Sequence, residues 1–207
     1  MTEVLLVRHA ETVFNQQRRI QGQSESDLSE AGVIQAKALA HRLARENFST
    51  IYTSDLKRAY QTAEHAATRT GHPITVEVRL RERHMGIFQG LTLKEIEERY
   101  PEEHRKLAQR DPVFVIPDGE STLQLQQRAV GVIEEIATRH EGKRVVVITH
   151  GGIIHTFFHH VFDLPFRSWR RLSNYNTGVN IFHRDDGQWS LGCWGDICHL
   201  TTDGADQ

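Results

Sequence analysis

The 207-residue sequence has almost no cysteine, no excess charge of either sign and no long hydrophobic run. Its two cysteines, Cys193 and Cys198, have four residues between them. That spacing fits neither a C-x-x-C redox pair nor a zinc framework, so they read as reduced thiols of a cytoplasmic protein. Lys+Arg number 25 against 27 Asp+Glu, a formal net charge of -2. Such a balance gives no general attraction for nucleic acid or an anionic membrane surface. The longest apolar stretches, such as residues 145–148, are far too short to span a bilayer, and Glu3 and Arg8 interrupt any signal-peptide core at the start. Repeats and low-complexity segments are absent. The 13 histidines raise the question of a metal, and His155, His159 and His160 can share one helix face. With no H-E-x-x-H motif and no paired Cys/His arrangement, neither a metal nor a bound cofactor is expected.

What is present is an alternation of apolar runs and helical patterns, which predicts an α/β fold. The expected architecture is a three-layer α/β/α sandwich with a mainly parallel central sheet, built as one domain over 1–207. Val4-Leu5-Leu6-Val7 reads as a buried first strand, followed by a Gln- and Ser-rich loop over 16–27. Ser29 is placed to cap a helix whose inward stripe is Ala36, Leu39, Ala40 and Leu43. Residues 50–53 read as a second strand, with Ser54-Asp55 as the cap of a helix over 56–69, and 74–78 as a third strand. Residues 81–120 are charged, carry Pro101, Pro112 and Pro117, and show only short helical pieces; they read as a lid insertion over the sheet edge. Ser121 and Gln124 make a capping box for a helix with Leu125, Ala129, Val132 and Ile136 on one face. A strand over 144–149 ends in His150-Gly151-Gly152, and two late strands flank an Asp185-Asp186-Gly187 turn. An exposed edge strand offers a route to a homodimer.

Ligands of open α/β sheets bind beyond the carboxyl ends of the strands. Arg8 and His9 follow the first strand, and His150 follows the strand at 144–149, so all three are delivered to one edge. Arg58 falls in the first turn of the helix after the second strand, where its guanidinium and free N–H groups favour an anion. Glu82 stands at the entrance to the insertion. Two arginines, two histidines and a carboxylate suffice for phosphoryl transfer without a metal. Arg8 and Arg58 can hold phosphate oxygens, and His150 can add a donor to the shifting charge. His9 can attack phosphorus, and Glu82 can protonate the leaving oxygen.

The string Arg8-His9-Ala10-Glu11 resembles the Arg-His-Gly-Glu signature of the histidine phosphatase superfamily, which includes the cofactor-dependent phosphoglycerate mutases. The resemblance runs over roughly residues 4–155. It implies a conserved phosphate pocket of Arg8, His9, Arg58 and His150, with Glu82 as proton donor. Phe14-Asn15 and Arg19-Ile20-Gln21-Gly22 are similar to the family's phosphate-side loop, which implies that Asn15 and Gln21 touch the substrate. Gly22, and Gly151 directly after His150, are counted with them. Asp118-Gly119-Glu120-Ser121 resembles the family's Gly-Glu-Ser element. The substrate class implied is a small phosphorylated metabolite, and Arg83 and His84 are the candidates for reading a substrate carboxylate.

The same resemblance leaves open where the phosphoryl group goes. Glu82-Arg83-His84-Met85-Gly86 is similar to the true mutases. Three departures favour a phosphatase. Leucine stands in Leu91-Thr92-Leu93 where mutases carry a lysine, with Lys94 one residue away; residues 81–120 contain no Arg-Arg pair; and Gly152 takes a place usually held by asparagine. A site without a second anion clamp releases phosphate to water. A mutase is the alternative, a protein phosphohistidine phosphatase is disfavoured by the covered site, and a non-catalytic phospho-ligand adaptor is disfavoured because His9 and Glu82 are both kept.

Overall fold

The computed structural model describes residues 1–166 and 172–200. A six-stranded sheet comprises β1 (Thr2–Arg8), β2 (Ile51–Thr53), β3 (Ile74–Val76), β4 (Arg144–Thr149), β5 (Val179–Asp185) and β6 (Gln188–Asp196). Their order is β3-β2-β4-β1-β5-β6. The first four are mutually parallel, while β5 runs antiparallel to β1, and β6 to β5. The helices are α1 (Val13–Gln16), α2 (Glu30–Leu43), α3 (Lys57–Thr70), α4 (Leu93–Arg99), α5 (Pro101–Gln109), α6 (Thr122–Arg139) and α7 (Gly151–Val161).

The three layers follow from a period-two division of the strands. Val4, Leu6, Tyr52, Val145 and Val147 pack under α6 and α7, against residues such as Leu125, Val132, Ile153 and Phe157. Leu5, Val7, Ile51, Val146 and Ile148 point the other way, against Leu39 and Leu43 of α2 and Ala63 and Ala66 of α3. Both faces of β1 and β4 are therefore buried, each large aliphatic side chain contributing about 1.5–3 kcal/mol. The chain leaves β1 toward the α2 face but leaves β4 toward the α7 face. Neighbouring parallel strands whose connections go to opposite faces open a crevice at their carboxyl ends. His9 and His150 stand there. A third cluster, around Phe88, Ile96 and Ile116, lies within the 81–120 stretch and also takes in Ile20.

Caps at Ser29 and Ser121 form as the sequence predicts. Three local expectations are corrected. Ser54-Asp55 does not cap α3: Ser54 Oγ bonds His150 Nε2, and Asp55 pairs with Arg81. The carboxylate of Glu25 serves that helix start instead, accepting from Lys57 N at 3.0 Å. The third strand stops at Val76, because Val76 and Val78 are 47% and 53% exposed and their alternation buries no face; a 3-10 turn, Val78–Leu80, follows. The expected loop over 16–27 begins inside α1, a single turn closed by a Thr12–Asn15 capping box.

Several histidines are folded in neutral form. His155 is buried edge-on to Trp194, and burial, then His159 and Arg8, pulls its pKa down to about 4. His199 is drawn to about 4 by burial and then Arg42. The unfolded chain protonates near the free value of about 6.5, so it takes these protons first as pH falls. The stabilisation is complete above that pH and is lost on descent toward pH 4. Thermal melts should show Tm falling across this interval, with a shallower slope in His155→Gln. A wild-type Tm that is flat from pH 7 to pH 5 contradicts this account.

Candidate active site

His9 is held by its own neighbours. Its N–H bonds Thr149 O at 2.8 Å, and its carbonyl accepts from Asn176 Nδ2 at 2.9 Å. The ring Nδ1 lies 2.7 Å from Ala10 O, an acceptor only, so Nδ1 carries the proton and Nε2 keeps its lone pair. Burial, then the Arg58 and Arg8 guanidiniums, pushes the His9 pKa well below its ordinary value. The ring is therefore neutral at physiological pH, with a nucleophilic nitrogen outward. Arg58 Nε donates to that nitrogen at 3.3 Å.

Arg58, the second residue of α3, is fully buried. Its terminal nitrogens donate to Ser24 O at 3.0 Å and Gly22 O at 2.6 Å, and no carboxylate pairs with it among the described residues. Burial lowers its pKa to about 10, which still leaves it charged at pH 7. Arg8 donates to Asn174 O at 2.5 Å, while its Nε is buried without a partner. Burial likewise lowers the Arg8 pKa, with Glu82 opposing. Two largely desolvated cations with only partial satisfaction are able to hold an anion.

His150 lies behind His9, ring centroids 5.2 Å apart. Its Nε2 meets Ser54 Oγ at 2.7 Å, and its Nδ1 is buried without a partner. Burial, then Arg58, lowers its pKa strongly. Glu82 is aimed by two main-chain donors: Arg83 N to Oε1 at 2.7 Å and Gly152 N to Oε2 at 2.9 Å. The second comes from the first turn of α7, where the N–H groups have no partner within the helix. A Cβ at position 152 would overlap Glu82 Oε1, so only glycine admits the carboxylate there.

A cleft of about 330 Å³ joins these groups, lined by Arg8, His9, Arg58 and Glu82 together with Asn15, Gln21, Gly22, Arg83 and Gly152. Gly22 has φ of 53° and turns its carbonyl to Arg58. The Gln21 Oε1 atom is buried without a partner, and Asn15 Oδ1 holds the Thr12 cap. Arg83 is anchored by Glu120 O at 2.9 Å and also borders an adjoining cavity of about 210 Å³ beside Leu107 and Phe114. Three residues singled out in the sequence, His150, His84 and Gly151, are not on the cleft wall. His84 turns its Nδ1 to Gly86 N at 3.2 Å, and at the α7 start it is Gly152, not Gly151, that faces the cleft. Lys94 is 85% exposed, near Glu98, and so is no second clamp. Sequence reasoning missed Ser54, Asn174 and Asn176; a polar Asn-Tyr-Asn-Thr string just before β5, the antiparallel neighbour of β1, was the available signal. No group of three or more His, Cys, Asp or Glu among the described residues is arranged to hold a metal ion. No described helix is long and apolar enough to cross a membrane.

Comparison with known proteins gives a consistent neighbourhood. The family model of the histidine phosphatase superfamily (branch 1) matches residues 4–197. The chain is 42% identical over 207 residues to the metal-independent phosphoserine phosphatase of Arabidopsis thaliana, covering 99% of this chain and 85% of that protein. It is 38% identical to phosphoglycerate mutase-like protein 4 of the same plant, covering 98% of this chain and 88% of the relative. Among solved structures, YhfR of Bacillus stearothermophilus has a TM-score of 0.91 at 34% identity, covering 97% of this chain and 100% of that one.

The tautomer and charge of His9 are directly measurable. Long-range ¹⁵N–¹H spectra at pH 6, assigned with His9→Ala, should show a neutral His9 ring protonated on Nδ1. An imidazolium pattern at that pH would contradict the desolvation argument.

Proposed function

The chain belongs to branch 1 of the histidine phosphatase superfamily, and from that membership we propose that it is a metal-independent phosphomonoesterase of small phosphorylated metabolites. The observation that carries the reading is the neutral, Nδ1-protonated His9 between the buried Arg58 and the half-buried Arg8, neither of which is hydrogen-bonded to a carboxylate among the described residues. A phosphate dianion supplies a directly bonded countercharge, with Arg8 Nε as an unused donor for its oxygens, joined by His150 Nδ1 in the tautomer in which Nε2 accepts from Ser54 Oγ. The bond from His9 Nε2 to phosphorus forms as the bond to the substrate oxygen breaks, and Glu82 gives that oxygen its proton. Water then forms the new bond to phosphorus, the nitrogen–phosphorus bond breaks, and the water proton passes to the Glu82 carboxylate.

The substrate's organic part extends toward Arg83, under residues 81–120 acting as a lid. A phosphomonoester bearing a carboxylate suits that guanidinium, and the Arabidopsis thaliana relative is named for phosphoserine. Water, rather than a second substrate oxygen, is the acceptor, because exposed Lys94 provides no second anion clamp. The cytoplasmic setting expected from the cysteines accords with small metabolites as partners. A mutase reading draws on the Glu82-to-Gly86 wording and on the mutase-like relative.

Phosphate release is expected to persist in chelator, to be greater for phosphoserine or 3-phosphoglycerate than for neutral sugar phosphates, and to vanish in His9→Ala. A colorimetric phosphate assay with coupled detection of 2-phosphoglycerate checks this. Isomerisation with little free phosphate would establish the mutase instead, and activity restored only by a divalent ion would end the metal-independent reading. Gly152→Ala should lower kcat/KM for alkyl phosphates at least tenfold, as partial loss of a general acid worth roughly 10²–10⁴-fold requires. Gly151→Ala, whose Cβ meets Asn174 Nδ2 at 3.3 Å and the Arg8 side chain at 3.8 and 4.0 Å, is the milder control. Equal effects of the two substitutions would refute the role given to position 152.

A further inference from the structure

Glu82 lies in a stretch with no regular structure, and its main chain is held from outside. The carbonyls of residues 79–82 belong to no strand ladder, so each needs a partner from elsewhere. Leu80 O accepts from Thr149 Oγ1 at 2.8 Å, and Glu82 O from Gln23 Nε2 at 3.0 Å. Arg128, from the middle of α6, takes the rest. Its Nη1 donates to both Arg79 O and Arg81 O at 2.7 Å, and its Nη2 reaches Glu82 O at 3.4 Å. The remaining donors of the fork bind Glu120: Nε to Oε1 at 3.0 Å and Nη2 to Oε2 at 2.9 Å. Glu120 Oε2 also accepts from His84 N at 2.9 Å. One guanidinium thus fixes the chain before Glu82 directly and the chain after it through Glu120, without itself lining the cleft.

We infer that Arg128 is a positioning residue for proton donation by Glu82, an inference that rests on the reading of Glu82 as the donor. The demand is geometric: five donors in a planar fork meet carbonyls and a carboxylate from three directions, which a lysine ammonium cannot reproduce. Its loss lets the Glu82 main chain drift, leaving the His9 and arginine pocket intact. Misplacement of this kind affects only substrates whose leaving oxygen needs a proton.

The test compares kcat/KM for p-nitrophenyl phosphate, whose phenolate leaves unaided, with that for phosphoserine, an alkyl phosphate. Arg128→Lys should lower the phosphoserine value about tenfold or more while the aryl value stays within about threefold, as partial loss of acid catalysis requires. Glu82→Gln should show the same selectivity more strongly, and the double variant should be no worse than Glu82→Gln alone. If Glu82→Gln is selective but Arg128→Lys lowers both substrates equally, or the losses multiply, the role of Arg128 is overturned and that of Glu82 stands. If Glu82→Gln is itself unselective, the reading of Glu82 fails and takes this inference with it. Should Arg128→Lys not fold, Glu120→Gln, which keeps the guanidinium but removes its partner's charge and one of the two acceptor oxygens, is read by the same ratio. A wild-type ratio there also overturns the inference.

Discussion

The structure around the cleft is organised by one desolvated charge, the guanidinium of Arg58. A charge removed from water without a hydrogen-bonded counterion is costly, and here its hydrogen bonds go only to carbonyls and an imidazole nitrogen, with Glu82 and Glu25 acting at longer range. Each partner comes from a different part of the chain. The residues 17–28 loop contributes Gly22 and Ser24, and the end of β1 contributes His9. Thr62, one turn along α3, ties Arg58 O to Ala10 N through its hydroxyl. Strand end, helix and loop are therefore assembled about a cation that has room to pair with an anion. Stability and ligand affinity are coupled through that single term.

The same desolvation sets the chemistry of the histidines. In water an imidazole would be partly protonated near neutrality; fully buried beside Arg58 and Arg8, His9 and His150 are held neutral. Glu82 is seated by N–H groups, at Arg83 and at the first turn of α7. Gly152 is what permits this. The residue that looked in the sequence like a departure from a family pattern is a steric condition for seating Glu82.

Much of this arrangement is legible in the sequence because it is local. Apolar runs that bury both faces announce β1 and β4, and polar residues at their ends must then lie at one sheet edge. Ser29 and Ser121 bond groups three residues away, so their capping is written in the spacing. What is not legible is partnering over long separations. Ser54 looks like a cap until His150, 96 residues on, competes for its hydroxyl. Asn176 reaches the His9 carbonyl across 167 residues, and Arg128 reads as an ordinary polar position on α6 until the carbonyls of residues 79–82 are seen beneath it. A hydroxyl or guanidinium satisfied by a distant backbone leaves no periodicity.

The third hydrophobic cluster separates two kinds of evolutionary change. Phe88, Ile96 and Ile116 pack with one another and with Leu107 and Phe114, apart from the two faces of the sheet. Substitutions there can reshape the cavity beside Arg83 without opening a void against β1 or β4. That freedom has a boundary at Ile20, which belongs to the same cluster and immediately precedes Gln21 and Gly22. Drift in the insertion is free until it moves Ile20; beyond that point every altered contour is transmitted to the carbonyl that holds Arg58, and diversification is tethered to the pocket it surrounds.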